Sequence, residues 1–338
     1  MNSLGRQVQR AASNPLIRHG LTAGISLGAL FLALRGSDLN EVLQVLAQMD
    51  WPLLALAVSL EVLTWWFTAL RWRRIFAPRP TPGTMRFFWA LTVTQLANTI
   101  LPGKVGILAR IWLIGESMGK TATACTVILE KALEAITLVG AFVLLIPFLG
   151  NAGWLWSDVL TNTAIVILGL IGVVVVVRWR QPLLRWGQQW RWGRVLAGPL
   201  VAALDTLEAA RRPAVLLELL GWSAWIWVLT VLRAYVLLQA TGIVVPLAAA
   251  WLLNVALQVG IRIPALPASI GVFHYAVVVV LTQFAVSESA ALSYAVILHV
   301  LMFLAPSLVA VGYLWRTGYD WRTWRRTGKP ALEKDTYG

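Results

Sequence analysis

The sequence predicts an all-α integral membrane protein with six full spans and two re-entrant helical hairpins related by an inverted repeat, both termini being cytoplasmic. Three observations predict this fold. Of the 338 residues, 59% are hydrophobic and 13% charged, which would leave a water-soluble globule too little polar surface. The apolar residues form stretches of about the 20 residues that cross a bilayer. The basic residues lie between these stretches.

Six apolar stretches are each long enough to cross the bilayer as a helix. They cover residues 17–35, 51–70, 121–149, 157–177, 213–239 and 289–315. The first is expected to be a retained span and not a signal peptide, because no small-residue cleavage site follows it. Two further apolar regions, 84–118 and 246–285, are interrupted near their middles. We therefore expect one polytopic membrane domain over 1–338.

The Lys and Arg residues fall mainly into four segments, which indicate the orientation of the chain. These segments are 6–18, 71–86, 178–212 and 316–334. By the positive-inside rule they face the cytoplasm, so the connector 178–212 and the tail 316–338 are cytoplasmic. The net charge of +13 therefore reflects membrane orientation, and no nucleic-acid partner is expected. Trp residues such as Trp72 crowd the same borders, which is typical of interfacial anchoring.

The two interrupted regions must each return to the side of the membrane that they left. If either region crossed the membrane, the basic segments after it would not all face the cytoplasm. They would enter from opposite faces, within repeat halves of about 51–149 and 213–315. Their tips, Leu101-Pro102-Gly103-Lys104-Val105-Gly106 and Leu266-Pro267-Ala268-Ser269-Ile270-Gly271, share Leu, Pro and the last Gly. Pro and Gly both interrupt helices where a chain reverses. Such paired broken helices indicate a transporter site near the midplane. Two Pro-kinked ordinary spans are the alternative.

The tips supply most of the candidate substrate-binding residues. A helix that starts at a tip directs free amide groups towards the membrane centre, which favours an anion. Basic side chains inside a membrane are costly and usually functional, and Arg can hold a phosphate through two N–H groups. Snorkelling of these side chains to a headgroup region is the alternative. The candidates are Pro102, Gly103, Lys104, Gly106, Arg110, Arg262, Pro267 and Gly271.

Three charged residues lie in the middle of the stretch 121–149. Glu130 lies about 14 Å from the cytoplasmic start of this span at about 1.5 Å per residue. Glu130 and Glu134 share a helix face, and Lys131 can pair with Glu134. Two close carboxylates in a low dielectric can share a proton, which predicts proton coupling; a structural ion pair between Glu130 and Arg110 is an equal alternative. Single polar groups in other spans are expected to be interhelical contacts: Glu61, Arg233 and His299.

The run from Asn98 through the first tip to Arg110, followed by Glu130-Lys131, resembles the transmembrane region of the lysylphosphatidylglycerol synthase family, often called flippase-like. The second tip, continuing to His274, is similar, and the likeness covers roughly 16–315. The resemblance implies a membrane protein that binds and translocates phospholipid or polyprenyl-phosphate-type lipids, and it adds Asn98 and His274 to the expected substrate-binding residues. Many members carry an acidic residue near His274, and Pro-Gly where this chain has Pro-Ala, which leaves the substrate open.

The sequence thus predicts binding and transbilayer flipping of an anionic lipid in the cell inner membrane, without enzymatic activity, cofactor or metal. The single cysteine, Cys125, cannot form a disulfide within the chain. The bifunctional family members also carry a soluble aminoacyl-transferring domain. We do not expect that activity within residues 1–338. A lipid-linked transferase would need an acidic metal-binding loop. A membrane scaffold that recruits a soluble partner through 178–212 is another alternative, as are homo-oligomers and a separate soluble enzyme partner.

Overall fold

The computed structural model describes residues 47–76, 79–100, 106–145, 212–260 and 269–316, with isolated positions between 27 and 45 and at 147. Every regular element within these ranges is helical. Along them the helices are α1 Trp51–Ile75, α2 Thr84–Ile100, α3 Gly106–Met118, α4 Lys120–Leu145, α5 Pro213–Ala240, α6 Leu247–Gly260, α7 Val272–Thr282, α8 Glu288–His299 and α9 Ala305–Arg316. A π-helical segment, Val300–Leu304, joins α8 to α9.

Several predicted segments lie largely or wholly outside the described residues. They are the spans 17–35 and 157–177, the connector 178–212, the tail 316–338, residues 101–105 of the first tip and residues 266–268 of the second tip.

Three described helical stretches are long and apolar enough to cross a membrane: Trp51–Ile75, Pro213–Ala240 and Glu288–Trp315. They correspond to three of the predicted spans. Helix α4, at 26 residues, has the length of a fourth span, but three charged residues interrupt its apolar character. An all-helical membrane architecture is therefore confirmed for this part of the chain.

Helix α1 continues five residues beyond the expected end of its span at residue 70. It begins where the Asp50 side chain accepts a hydrogen bond from the Leu53 amide at 3.0 Å, which satisfies a free N–H of the first turn. At its other end, Arg71 is 3% exposed and Trp72 is fully buried. The prediction of an interfacial Trp72 is therefore wrong, because other helices cover this last turn of α1.

Helices α1 and α5 pack against each other in an antiparallel orientation. At one end the Asp50 amide donates to the Ala240 carbonyl at 2.9 Å. At the other end Arg74 and Glu218 form an ion pair at 2.8 Å. We call this second end the basic end. The Trp72 indole donates to Thr126 near the start of α4 at 2.9 Å, so α4 also begins near the basic end.

Each of the two interrupted regions forms a pair of contacting helices. The pair α2–α3 joins the end of α1 to the start of α4, both near the basic end. The pair α6–α7 joins α5 to α8 at the opposite end, where the Tyr294 hydroxyl donates to the Ala234 carbonyl at 3.0 Å. Within the first pair, the Gly106 amide donates to the Asn98 side chain at 2.9 Å. Gly106 is required there, because a Cβ would clash with the Thr94 carbonyl.

An apolar core near the basic end holds the first five helices together. Each of α1 to α5 contributes at least one large side chain that is at most 1% exposed, among them Trp72, Phe87, Ile114, Leu133 and Leu219. A second apolar core includes residues of α5, α6, α7 and α8 and of the C-terminal half of α4. The first core surrounds the polar site described below and fixes the helices that carry it.

Candidate functional site

A buried carboxylate lies between two arginines that come from different helices. Glu130 on α4 contacts Arg71 of α1 through Oε1, with Nη2 of the arginine at 3.1 Å. Its other oxygen, Oε2, accepts from Nη2 of Arg110 on α3. The three side chains are between 2% and 6% exposed. The contact between Arg110 and Glu130 is the ion pair that the sequence offered as the structural alternative.

Neighbouring side chains hold both guanidinium groups in place. The Cζ atom of Arg110 lies 3.8 Å from the ring centroid of Trp72, a cation–π contact that is strengthened by desolvation. Nη1 of Arg71 donates to the Ser223 hydroxyl on α5 at 3.0 Å. These contacts matter because a charge buried in a low dielectric is tolerated only with close partners.

The ion network continues from the buried centre to an exposed edge. Nη2 of Arg71 lies 3.7 Å from Oε1 of Glu134, and Nζ of Lys131 lies 2.7 Å from Oε2 of the same carboxylate. The Lys131 side chain is 58% exposed. We call Arg71, Arg110, Glu130, Lys131 and Glu134 the charge cluster. Its three cationic side chains face two carboxylates, which leaves one net positive charge.

Two donors in the charge cluster have unused hydrogen-bonding capacity. The Nε atoms of Arg71 and Arg110 are buried, and neither has a hydrogen-bond partner among the residues that the structure describes. A buried N–H without an acceptor is unfavourable. An anionic oxygen placed beside either atom would accept its N–H, and phosphate oxygens suit arginine donors.

The charge cluster includes four of the predicted site residues and one residue that the sequence interpretation missed. Arg71 was assigned to a cytoplasmic basic segment because Arg73 and Arg74 follow it. A signal was present in the spacing of α1, whose inward-facing residues include Glu61, Thr64 and Arg71 at intervals of three and seven.

Nη2 of Arg71 contacts both carboxylates of the charge cluster, at 3.1 Å from Glu130 and 3.7 Å from Glu134. The ion pair between Glu130 and Arg110 is present in the structure, and proton coupling through Glu130 and Glu134 stays a prediction.

The remaining predicted site residues are distributed differently. Asn98 and Gly106 contact each other where α2 meets α3. Gly271, with φ of 89°, precedes the first turn of α7, and His274 lies within that turn. Five candidates lie outside the described residues: Pro102, Gly103, Lys104, Arg262 and Pro267.

His274 packs against a second histidine that the sequence treated as an interhelical contact. The rings of His274 and His299 are stacked, with centroids 4.9 Å apart. The His299 ring also stacks on Phe303 in the π-helical segment, at 4.5 Å. Within the described ranges, no three metal-binding side chains lie together.

A second buried ion pair joins α1 to α5. Nη1 of Arg233 pairs with Oε2 of Glu61, whose Oε1 accepts from the Trp65 indole at 2.9 Å. One cation faces one carboxylate, so this pair is neutral. It is the interhelical contact that was expected for these two residues, and it contrasts with the positive charge cluster.

Glu130→Gln should destabilise the protein strongly, because it leaves the Arg71 and Arg110 charges buried without a counter-ion. Loss of one partner of a buried pair costs about 3–5 kcal/mol. The matched control is Glu218→Gln, which removes an exposed pair with Arg74 and should cost about 0–1 kcal/mol. Thermal unfolding of both variants in detergent measures the difference. Equal unfolding temperatures would contradict the assignment of Glu130 as the common counter-ion.

Comparison with known protein families connects this geometry to a family. The model of the lysylphosphatidylglycerol synthase transmembrane region matches residues 21–310. That range contains the charge cluster and both helix pairs. A search of curated proteins gives no match. Since the family model covers most of the sequence, the chain belongs to the lysylphosphatidylglycerol synthase transmembrane-region family.

Proposed function

We propose that this protein binds the phosphate-bearing headgroup of an anionic lipid inside the membrane and moves the lipid between leaflets. The observation that carries the proposal is the charge cluster, with its net positive charge and two buried N–H donors for which the described part of the chain supplies no acceptor. Family membership supports a role connected with membrane lipids. It does not by itself distinguish binding from movement.

Energetic considerations favour a functional role for the charge cluster. Replacing a buried ion network by well-packed apolar side chains is often neutral or stabilising in proteins. A network needed only for packing therefore has no energetic advantage over such side chains. A phosphate could instead compete with Glu130 for Arg71 and Arg110, so the carboxylate would keep both arginines placed while no lipid is bound.

We infer that each helix pair is a re-entrant hairpin. Helix α7, which begins after Gly271 and ends at Thr282, has 11 residues, or about 17 Å at about 1.5 Å per residue. This length is shorter than the hydrocarbon core of about 30 Å. The described parts of α2, α3 and α6 cover 17, 13 and 14 residues. Each pair also returns to the end of the bundle that it left.

The orientation of these hairpins follows from the positions of the basic segments. With 71–86, 178–212 and 316–334 in the cytoplasm, α2–α3 enters from the cytoplasmic side and α6–α7 from the opposite side. This arrangement corresponds to six spans with an inverted repeat and both termini inside. It suits the inner membrane of a cell, and a soluble enzyme partner could bind there to the basic connector 178–212.

Arg110→Lys should reduce anionic-lipid movement by about tenfold or more while leaving the protein folded. Lysine keeps the positive charge opposite Glu130, but it loses the planar fork and the Nε donor of arginine. Proteoliposomes containing fluorescent phosphatidylglycerol measure the rate at which the probe changes leaflet. Arg74→Lys, at the exposed pair, is the matched control and should keep the wild-type rate.

Two outcomes of the Arg110→Lys experiment would contradict the proposal. One is an unchanged rate in a folded Arg110→Lys protein. The other is wild-type protein that does not accelerate movement of the probe at all, which would favour a scaffold or a transferase.

Cysteine labelling tests the proposed topology in a Cys125→Ala background. Val244, 86% exposed between α5 and α6, lies at the end opposite the basic end. Val244→Cys should therefore react with an impermeant reagent in intact cells whose inner membrane is accessible. Gly83, whose Cβ position is open, precedes α2, so Gly83→Cys should react only after lysis. The reverse pattern, or labelling of both from one side, would contradict the orientation.

A further inference from the structure

An apolar groove lies between α4, α5 and α6 next to the charge cluster. Its volume is about 440 Å³, within the range of about 300–1,000 Å³ that is common for ligand sites. Thr137, Gly140 and Leu144 of α4 line one wall, and Trp227 and Val231 of α5 line the other. Trp251 of α6 contributes to the far end. The lining side chains are apolar apart from Thr137 and the indole N–H groups.

The groove continues the surface that carries the charge cluster. On α4, Glu130, Glu134, Thr137, Ala141 and Leu144 follow one another at intervals of three or four residues, so they lie on one helix face. Thr137 lies about 5 Å beyond Glu134 along the helix axis. The polar cluster and the apolar groove are therefore consecutive parts of one face.

On the second wall, the groove residues Leu220 and Ala224 lie on either side of Ser223, which contacts the charge cluster. Ser223 on α5 accepts a hydrogen bond from Arg71, and its neighbour Ala224 already lines the groove. From Leu220 to Leu232, the groove residues of α5 extend over about 18 Å. One half of the hydrocarbon core measures about 15 Å. The groove thus has the length of a hydrocarbon chain that spans one leaflet.

We propose that this groove holds an acyl chain of an anionic glycerophospholipid whose phosphate lies at the charge cluster. The inference rests on the proposed function and names its substrate class. Charge complementarity supports this occupant, because the polar end of the groove carries a net positive charge beside an apolar lining. A polyprenyl chain, which is much longer than one leaflet, would leave most of its length outside the groove.

Gly140 offers a way to fill the groove without disturbing the helices. A Cβ at Gly140 would meet no atom within 4 Å, so a phenylalanine side chain can extend into the groove. Gly312 on α9 has equally open surroundings and does not line the groove. Gly140→Phe and Gly312→Phe are therefore matched substitutions, only one of which should displace a chain.

Photo-crosslinking with phosphatidylglycerol that carries a diazirine in one acyl chain tests the inference. In wild-type proteoliposomes, mass spectrometry should locate crosslinks on residues 136–144 and 220–232. Gly140→Phe should reduce these crosslinks by about tenfold, because overpacking excludes the chain. Gly312→Phe should leave them unchanged.

Several outcomes would overturn the inference. One is the absence of crosslinks from both segments, which is expected if another part of the chain or a second copy fills the groove. Another is that the crosslinks persist in Gly140→Phe. A third is that a diazirine-bearing polyprenyl phosphate labels the groove and phosphatidylglycerol does not. The readout is binding, so it separates this inference from the proposed function. Groove labelling without lipid movement would overturn movement alone, and movement without groove labelling would overturn the acyl-chain site alone.

Discussion

A single carboxylate shared by two guanidinium groups is the interaction on which the arrangement of α1, α3 and α4 depends. Glu130 contacts Arg71 and Arg110 while all three side chains are buried. In such surroundings the desolvation of each ion costs several kcal/mol, and close pairing must offset that loss. The stacked Trp72 ring and the Ser223 hydroxyl restrict both arginines further. Consequently, helix α3 cannot move away from α4 without breaking the ion pair between Arg110 and Glu130.

The sequence predicted those features that depend on neighbouring residues in one helix. Long apolar runs gave the spans of α1, α5 and α8–α9, and helical spacing predicted the contact between Lys131 and Glu134. The burial of Arg71 was missed, because an apolar run does not define where a helix ends. Arg71 belongs to a basic sequence segment, yet it points into the bundle because α4 and α5 cover the last turn of α1.

The positive charge cluster and the adjoining groove together have the polarity of an anionic lipid. Net positive charge lies at one end, and an apolar groove of leaflet length extends from it. The neutral pair of Glu61 and Arg233 shows that this protein can also join two helices with balanced charge. The net positive charge of the cluster around Glu130 is therefore not a general feature of the interhelical contacts in this protein. For this reason we connect that charge with a ligand.

Simultaneous replacement of Arg71, Arg110 and Glu130 by methionine tests most directly whether the charge cluster is functional. Removing all three charges leaves no uncompensated ion, so the variant should unfold at or above the wild-type temperature. Our account predicts that this folded variant no longer moves fluorescent phosphatidylglycerol between leaflets in proteoliposomes. A folded triple variant with the wild-type rate of lipid movement would contradict it.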